Sequence, residues 1–324
     1  MAHCQPLITR LMASTVSAVV QAGKIIRDVM NKGELNIVEK GKNDLQTEAD
    51  RSAQNCIIES LSRQFPGVTI IGEEGTSRCE VPPHWIVTDM DQEILNVKLP
   101  EHLENIAPKD ISVWVDPLDG KILIFPIFIQ IHNGNYSSGT SEFTQGLLDH
   151  VTVLVGVAVG EKAVGGVIHQ PYSKNPKTSS LGRTLWGIEG VGVGGFNPLS
   201  PPQDRRIITT TRSHSNKTVQ AALDAMCPDE ILRVGGAGHK VVLLLEGKAH
   251  AYVFASPGCK KWDTCAPEAI LRAAGGNLTD LHGNLYPYDS NAPHPNAKGV
   301  LATAPGENHA FYISKIPDSV KQEL

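Results

Sequence analysis

The stretch ISVWVDPLDGKILIFPIFIQI, residues 111–131, joins two segments of opposite character. Residues 111–115, ISVWV, are β-branched and aromatic and read as a strand. That strand runs straight into Asp116 and Asp119. Pro117 fixes φ and has no N–H to donate, so the chain turns where the strand ends. Both carboxylates and the Leu118 carbonyl can then face one cation. Gly120 lets backbone N–H groups approach an anion at the start of a following helix. Beyond it, ILIFPIFIQI is an uncharged apolar run that suits neither the turn before it nor the polar segment after it.

Around this stretch, strands and helices alternate. Residues 7–30 carry Ile8, Leu11, Met12, Val16, Val19, Val20, Ile25, Ile26 and Val29 at helical spacing, with Gly33 as a C-cap. Thr47 with Asp50 three residues later predicts a capping box opening a second helix, with Asp in place of the usual Glu. A short strand over 68–71 ends at Gly72-Glu73-Glu74-Gly75. The segment TDMDQEILNV is read as a helix. Strands are expected over VTVLVGVAVG, AVGGVIHQP and TLWGIEGVGVGGF, then over 206–210 and 250–255. Helices are expected over 216–226, over VVLLLEG and from Trp262-Asp263 to Gly275. This alternation predicts a layered α/β fold. The proline-rich segment FNPLSPPQDRR, 196–206, divides the chain into lobes 1–195 and 196–324.

Composition narrows the function classes. The 324 residues are 41% hydrophobic and 19% charged, as in a globular protein, and the net charge of −5 argues against a nucleic-acid partner. No run approaches the roughly 20 apolar residues of a membrane span. The first residues lack a secretory pattern. The six cysteines form no CxxC pair and read as reduced thiols, so a cytoplasmic, monomeric protein is expected.

Acidic residues recur at strand ends and helix starts: Asp44, Asp50, Glu73, Glu74, Asp116, Asp119 and Asp263. Open α/β sheets place ligand sites at such positions. Singly, each has an ordinary reading as a turn or cap residue. Together they would repel unless cations neutralise them, and an all-oxygen donor set suits magnesium.

In this order the motifs GEE (72–74), DPLDG (116–120) and WDTCAPE (262–268) resemble the magnesium-dependent, lithium-sensitive phosphatase superfamily typified by inositol monophosphatase. IVEKGKNDLQTEADR, IITTTRSHSNK, LRVGGAGHK and AYVFASPGCKKWDTCAPE resemble its 3′(2′),5′-bisphosphate nucleotidase branch. The resemblance implies a layered α-β-α-β-α sandwich and removal of the 3′-phosphate from adenosine 3′,5′-bisphosphate. It implies magnesium held by Glu73, Asp116, the Leu118 carbonyl, Asp119 and Asp263. Asp50, and the Thr that follows DPLDG in relatives, would activate water. Thr211, Ser213, His214, Gly236 and Lys240 would hold the nucleotide. His239 departs from the Asn usual in relatives. An inositol polyphosphate 1-phosphatase is the alternative enzyme.

The pattern breaks at Lys121. The family's continuation, TSEFTQG, begins only at Thr140, and removing residues 121–139 restores DPLDG-TSEFTQG without a seam. So clean an excision point suggests a retained intron or displaced exon boundary, against a loop native to this chain. The apolar run is an aggregation hazard if exposed. Closing a loop of this length costs only a few kcal/mol. Catalytic geometry tolerates far less displacement, because errors of about 1 Å are costly. The expectation is a folded core with reduced activity, in the extreme a chain that binds nucleotide without turning it over.

Overall fold

The computed structural model describes residues 5–32, 36, 38–41, 44–75, 81–120, 148–176, 178–212 and 215–324. Residues 121–147, which contain the inserted segment and Thr140, lie outside that description, as do Gly33, Ser213 and His214.

Helix α1 (Leu7–Lys32) buries Ile8, Leu11, Met12, Val19 and Ile26, the stripe that its spacing predicted. After the ribbon of β1 (Val38–Gly41) and β2 (Asp44–Gln46), helix α2 (Glu48–Gln64) opens with the expected capping box between Thr47 and Asp50. The TDMDQEILNV segment departs from expectation: only α3 (Gln92–Leu95) is helical, capped by Asp91. Within it only Ile94 and Leu95 are buried, so no apolar face exists to hold a longer helix against the core.

Six strands form the first sheet: β3 (Thr69–Gly72), β4 (Ile111–Asp119), β5 (Thr152–Val159), β6 (Lys162–Lys174), β7 (Leu181–Ile188) and β8 (Gly192–Gly194). They lie in sequence order; β3 runs parallel to β4 and every later pair is antiparallel. All nine residues of β4 are buried, which explains why ISVWV carries apolar side chains toward both faces, with Ser112 its one polar residue. Its side chains still divide by face. Val113 and Val115 join α1 and α2 in one core, whereas Trp114 joins a second core on the opposite side.

The second sheet comprises β9 (Ile207–Thr211), β10 (Glu230–Val234), β11 (Ala251–Phe254), β12 (Asn277–Thr279) and β13 (Val300–Thr303), in the order β10-β9-β11-β13-β12. Strands β10, β9 and β11 are parallel to one another, while β13 is antiparallel to both β11 and β12. The remaining α-helices among the described residues are α4 (Lys217–Ala225), α5 (Ala237–Leu245), α6 (Lys261–Ala273), α7 (His309–Lys315) and α8 (Asp318–Glu323). Residues of α5 and α6 such as Val241, Leu244, Cys265, Ala266 and Ile270 share one core with Trp114 and Leu154 of the first sheet and Val253 and Leu301 of the second. These helices are therefore the middle layer, giving the sequence helix, sheet, helix, sheet, helix. That single cluster crosses the 196–206 segment, so residues on both sides of it are buried together.

Candidate active site

The acidic cluster grows out of a defect in β4. Asp116 pairs with Leu154 and Asp119 with Thr152, so the β4/β5 register slips between them. Such a bulge re-aims the side chains beside it. Asp116 is buried, and its Oδ1 accepts from the N–H of Leu118, itself buried, at 3.0 Å. That short ring holds a bulge within the strand around Pro117, where the sequence predicts a turn after the strand. Asp263 arrives from α6, where it is the third helical residue and its Oδ2 accepts from Lys260 N–H at 2.6 Å. The ordinary alternative for Asp263, a helix N-cap, is not what the structure shows: Lys260 occupies the cap, and Asp263 reaches back to it from the third helical position.

One ligand oxygen from each of Asp116, Asp119 and Asp263 lies within 4.8 Å of the others. Burial first, then the charges of Asp119 and Glu73, push the Asp263 carboxyl up to about 7. A divalent cation would cancel both effects, and three convergent carboxylates offer the hard oxygen donors such an ion takes. The residues present therefore fit a hard divalent metal.

Glu73 stands beside this cluster because β3 is parallel to β4: its N–H donates to the Val115 carbonyl at 3.0 Å, next to Asp116. The turn is pinned to α2 by Gln54, which accepts from Glu74 N–H at 2.9 Å and donates to the Gly75 carbonyl at 2.7 Å. Asp50 lies one turn earlier on α2, fully buried, and Thr47 donates to its Oδ2 from both the backbone and the hydroxyl. The same carboxylate thus closes the capping box.

The second half of the site comes from the other sheet. Thr211 ends β9 in register with Val234, which ends β10, and Gly236 then caps α5. Gly236 has φ 76°, a left-handed value that favours glycine, and a Cβ there would stand 3.0 Å from both Asp119 Oδ2 and the His150 carbonyl. Lys240 is buried, donates to the Gly236 carbonyl at 2.6 Å and lies 5.1 Å from the Tyr252 ring centroid. Burial lowers its pKa, while Asp119 and Asp263 act in the opposite direction. His239 stacks on His150 with ring centroids 3.9 Å apart. Burial and nearby cations hold His150 down to about 4 and His239 well below the ordinary value, so both are neutral at pH 7.

Asp119 joins the two halves. Its Oδ1 accepts from Ala237 N–H at 3.0 Å, and its Oδ2 accepts from Gly238 N–H at 2.8 Å and from the Thr152 hydroxyl at 2.8 Å. Sequence reading missed Thr152 and these two amides. It also missed the buried network behind Asp263, in which Tyr288 donates to Glu268 at 2.7 Å and Asn296 accepts from Lys261 at 2.7 Å. Of the residues singled out from sequence, the structure brings together Asp116, Asp119 and Asp263, with Glu73 beside them and Gly236 and Lys240 against Asp119. Thr140, Ser213 and His214 fall outside the described residues.

A family model described as the inositol monophosphatase family matches residues 8–121 and 138–321, breaking off inside the segment that separates the two halves of the motif. Human 3′(2′),5′-bisphosphate nucleotidase 1 is 49% identical over 327 aligned residues, covering 100% of this chain and 99% of that protein. The Dictyostelium discoideum protein of the same name is 35% identical, with 94% of this chain and 96% of that one covered. Among solved structures, CysQ from Bacteroides thetaiotaomicron superposes with a TM-score of 0.59 at 22% identity, covering 91% of this chain and 97% of that one.

Proposed function

The chain belongs to the inositol monophosphatase family, and on that premise we propose that it is a magnesium-dependent phosphatase that removes the 3′-phosphate of adenosine 3′,5′-bisphosphate to give AMP. The observation that carries the reading is the 49% identity, over the whole chain, to a protein named for that chemistry. The all-oxygen cluster of Asp116, Asp119 and Asp263 supports the choice of magnesium over softer metals. Lithium inhibition and a cytosolic setting belong to the same proposal. No helix among the described residues is long and apolar enough to cross a membrane.

In this reading Glu73, Asp116, the Leu118 carbonyl, Asp119 and Asp263 hold the metal, which when bound neutralises phosphoryl charge and acidifies water. The chain's own residues do the rest. Asp50, buried and fixed by Thr47, accepts a proton from the attacking water, and Thr140 orients that water. Lys240, on the first turn of α5, holds by its positive charge the phosphate that is kept, while the Ala237 and Gly238 amides of that turn serve Asp119. Thr211, Ser213 and His214 hold the nucleoside. Gly236 leaves room for close approach.

Phosphate release from adenosine 3′,5′-bisphosphate and from inositol 1,4-bisphosphate, assayed side by side with magnesium, tests the proposal. A preference for the inositol phosphate would select the alternative activity. A second reading concerns rate. The family match resumes only at residue 138, so Gly120 and Thr140 are separated at the point where the site requires them adjacent. This chain is therefore proposed to turn over slowly while still binding nucleotide.

A further inference from the structure

Asp119 is asked to do two things with one carboxylate. It belongs to the acidic cluster, yet three donors already converge on it from Thr152, Ala237 and Gly238. A carboxylate oxygen accepts about two hydrogen bonds. Oδ2 holds two, from Thr152 and Gly238, and is filled; Oδ1 holds one, from Ala237, and keeps a lone pair. Oδ1 is thus the oxygen left for a cation.

All three donors are spent on this one carboxylate. Thr152 is fully buried and sits opposite Asp119 across the β4/β5 pair, so its hydroxyl is shielded from water. Gly238 lets the helix come this close: a Cβ there would lie 2.5 Å from Thr152 Oγ1 and 2.5 Å from Leu154 Cδ2. The amides of Ala237 and Gly238 open α5, where the backbone dipole favours an anion. The helix that also carries Lys240 donates to both oxygens of the carboxylate, and the first sheet adds the Thr152 hydroxyl at Oδ2.

We propose that Thr152 and the first turn of α5 form a clamp that orients Asp119 toward the metal, and that this clamp links metal affinity to occupancy of the nucleotide loop. Thr152 is then a positioning residue, acting through Asp119. The proposal rests on the phosphatase reading, since it takes α5 as the nucleotide-facing helix. A phosphate drawn to the charge of Lys240 settles the same turn whose amides hold Asp119. Metal and nucleotide must then change each other's affinity by one common factor.

The test reads binding rather than turnover. Manganese(II) affinity of the full chain is measured by electron paramagnetic resonance and calorimetry, with and without AMP, for the parent, Thr152→Val, Thr152→Ser and Ala237→Pro. Val keeps the shape and deletes the hydroxyl, and Ser restores the hydroxyl. Pro deletes the Ala237 N–H at the first helical position, where proline is tolerated. Val is expected to weaken manganese binding roughly 10- to 100-fold, as loss of an outer-shell partner does, with Ser close to the parent. Pro is expected to weaken it in the same direction, and AMP to tighten manganese less in both variants than in the parent. If Val does not fold, the Pro variant decides. Parent affinity retained in the folded variants overturns the clamp and leaves the phosphatase reading standing. A parent that binds no manganese overturns both.

Discussion

Replacing Asp263 by Asn should stabilise the metal-free protein while removing its metal. Asp263 rises from the ordinary 3.8 to about 7 because burial and the charges of Asp119 and Glu73 oppose ionisation. At about 1.4 kcal/mol per pH unit, forcing the charge on at pH 8 costs roughly 4 kcal/mol, an upper figure for an isolated site. The sign follows from proton counting. Between pH 3.8 and about 7 the folded state holds a proton on Asp263 that the unfolded state has lost, so stability falls as pH rises through that window. Asn removes the penalty and keeps an oxygen for Lys260 N–H, so the helix cap survives. Other groups add their own slopes. Glu268, raised to about 7 by burial, contributes in the same sense, whereas His150 and His309, held near 4, contribute in the opposite one. They cancel in the difference between variant and parent. In chelator, that difference in Tm should be small at pH 4 and grow to about 6 °C at pH 8, taking about 1.5 °C per kcal/mol for a chain of this length. With saturating magnesium the order reverses, because only the parent gains ligand stabilisation. A variant less stable than the parent in chelator at pH 8, or a difference that does not change with pH, would refute the electrostatic reasoning.

Three further outcomes are expected. Deleting residues 121–139 should raise the rate of 3′-phosphate release at least about tenfold, since it restores the contiguous motif around Gly120 and Thr140; equal rates in a phosphate-release assay would count against the insert as the cause of slow turnover. Gly238→Ala should cost about 1–3 kcal/mol in denaturant unfolding, because the added methyl meets Thr152 and Leu154 at 2.5 Å. Lys240→Met should raise KM for adenosine 3′,5′-bisphosphate roughly 10- to 100-fold with a smaller effect on kcat, the pattern of a lost charged contact to the retained phosphate, read from steady-state kinetics.

What the sequence displayed and what it hid follow from the range of each signal. ISVWV announced β4, and Thr47 with Asp50 announced the start of α2, because both signals are local. Glu73 reaches Asp116 through the parallel pairing of β3 with β4, which no local pattern specifies. TDMDQEILNV misled because helical propensity alone does not sustain a helix that buries only two residues. Thr152 was invisible because a threonine in VTVLVGV looks like any β-branched strand residue; its role depends on the register that sets it opposite Asp119. The amides of Ala237 and Gly238 carry no side-chain signature at all. His150 and His239 lie far apart in the chain, and only the fold stacks them. The 121–139 break, by contrast, was legible because it splits a motif whose two halves are both recognisable.

The central claim is hydrolysis of the 3′-phosphate by water at the Asp116, Asp119 and Asp263 cluster. It is tested most directly by incubating the chain with adenosine 3′,5′-bisphosphate and magnesium in ¹⁸O-labelled water and analysing the products by mass spectrometry. Unlabelled AMP and inorganic phosphate carrying one solvent oxygen are expected, at a low rate that disappears with chelator and in Asp263→Asn. Label in AMP, or release that persists undiminished in Asp263→Asn, would contradict it.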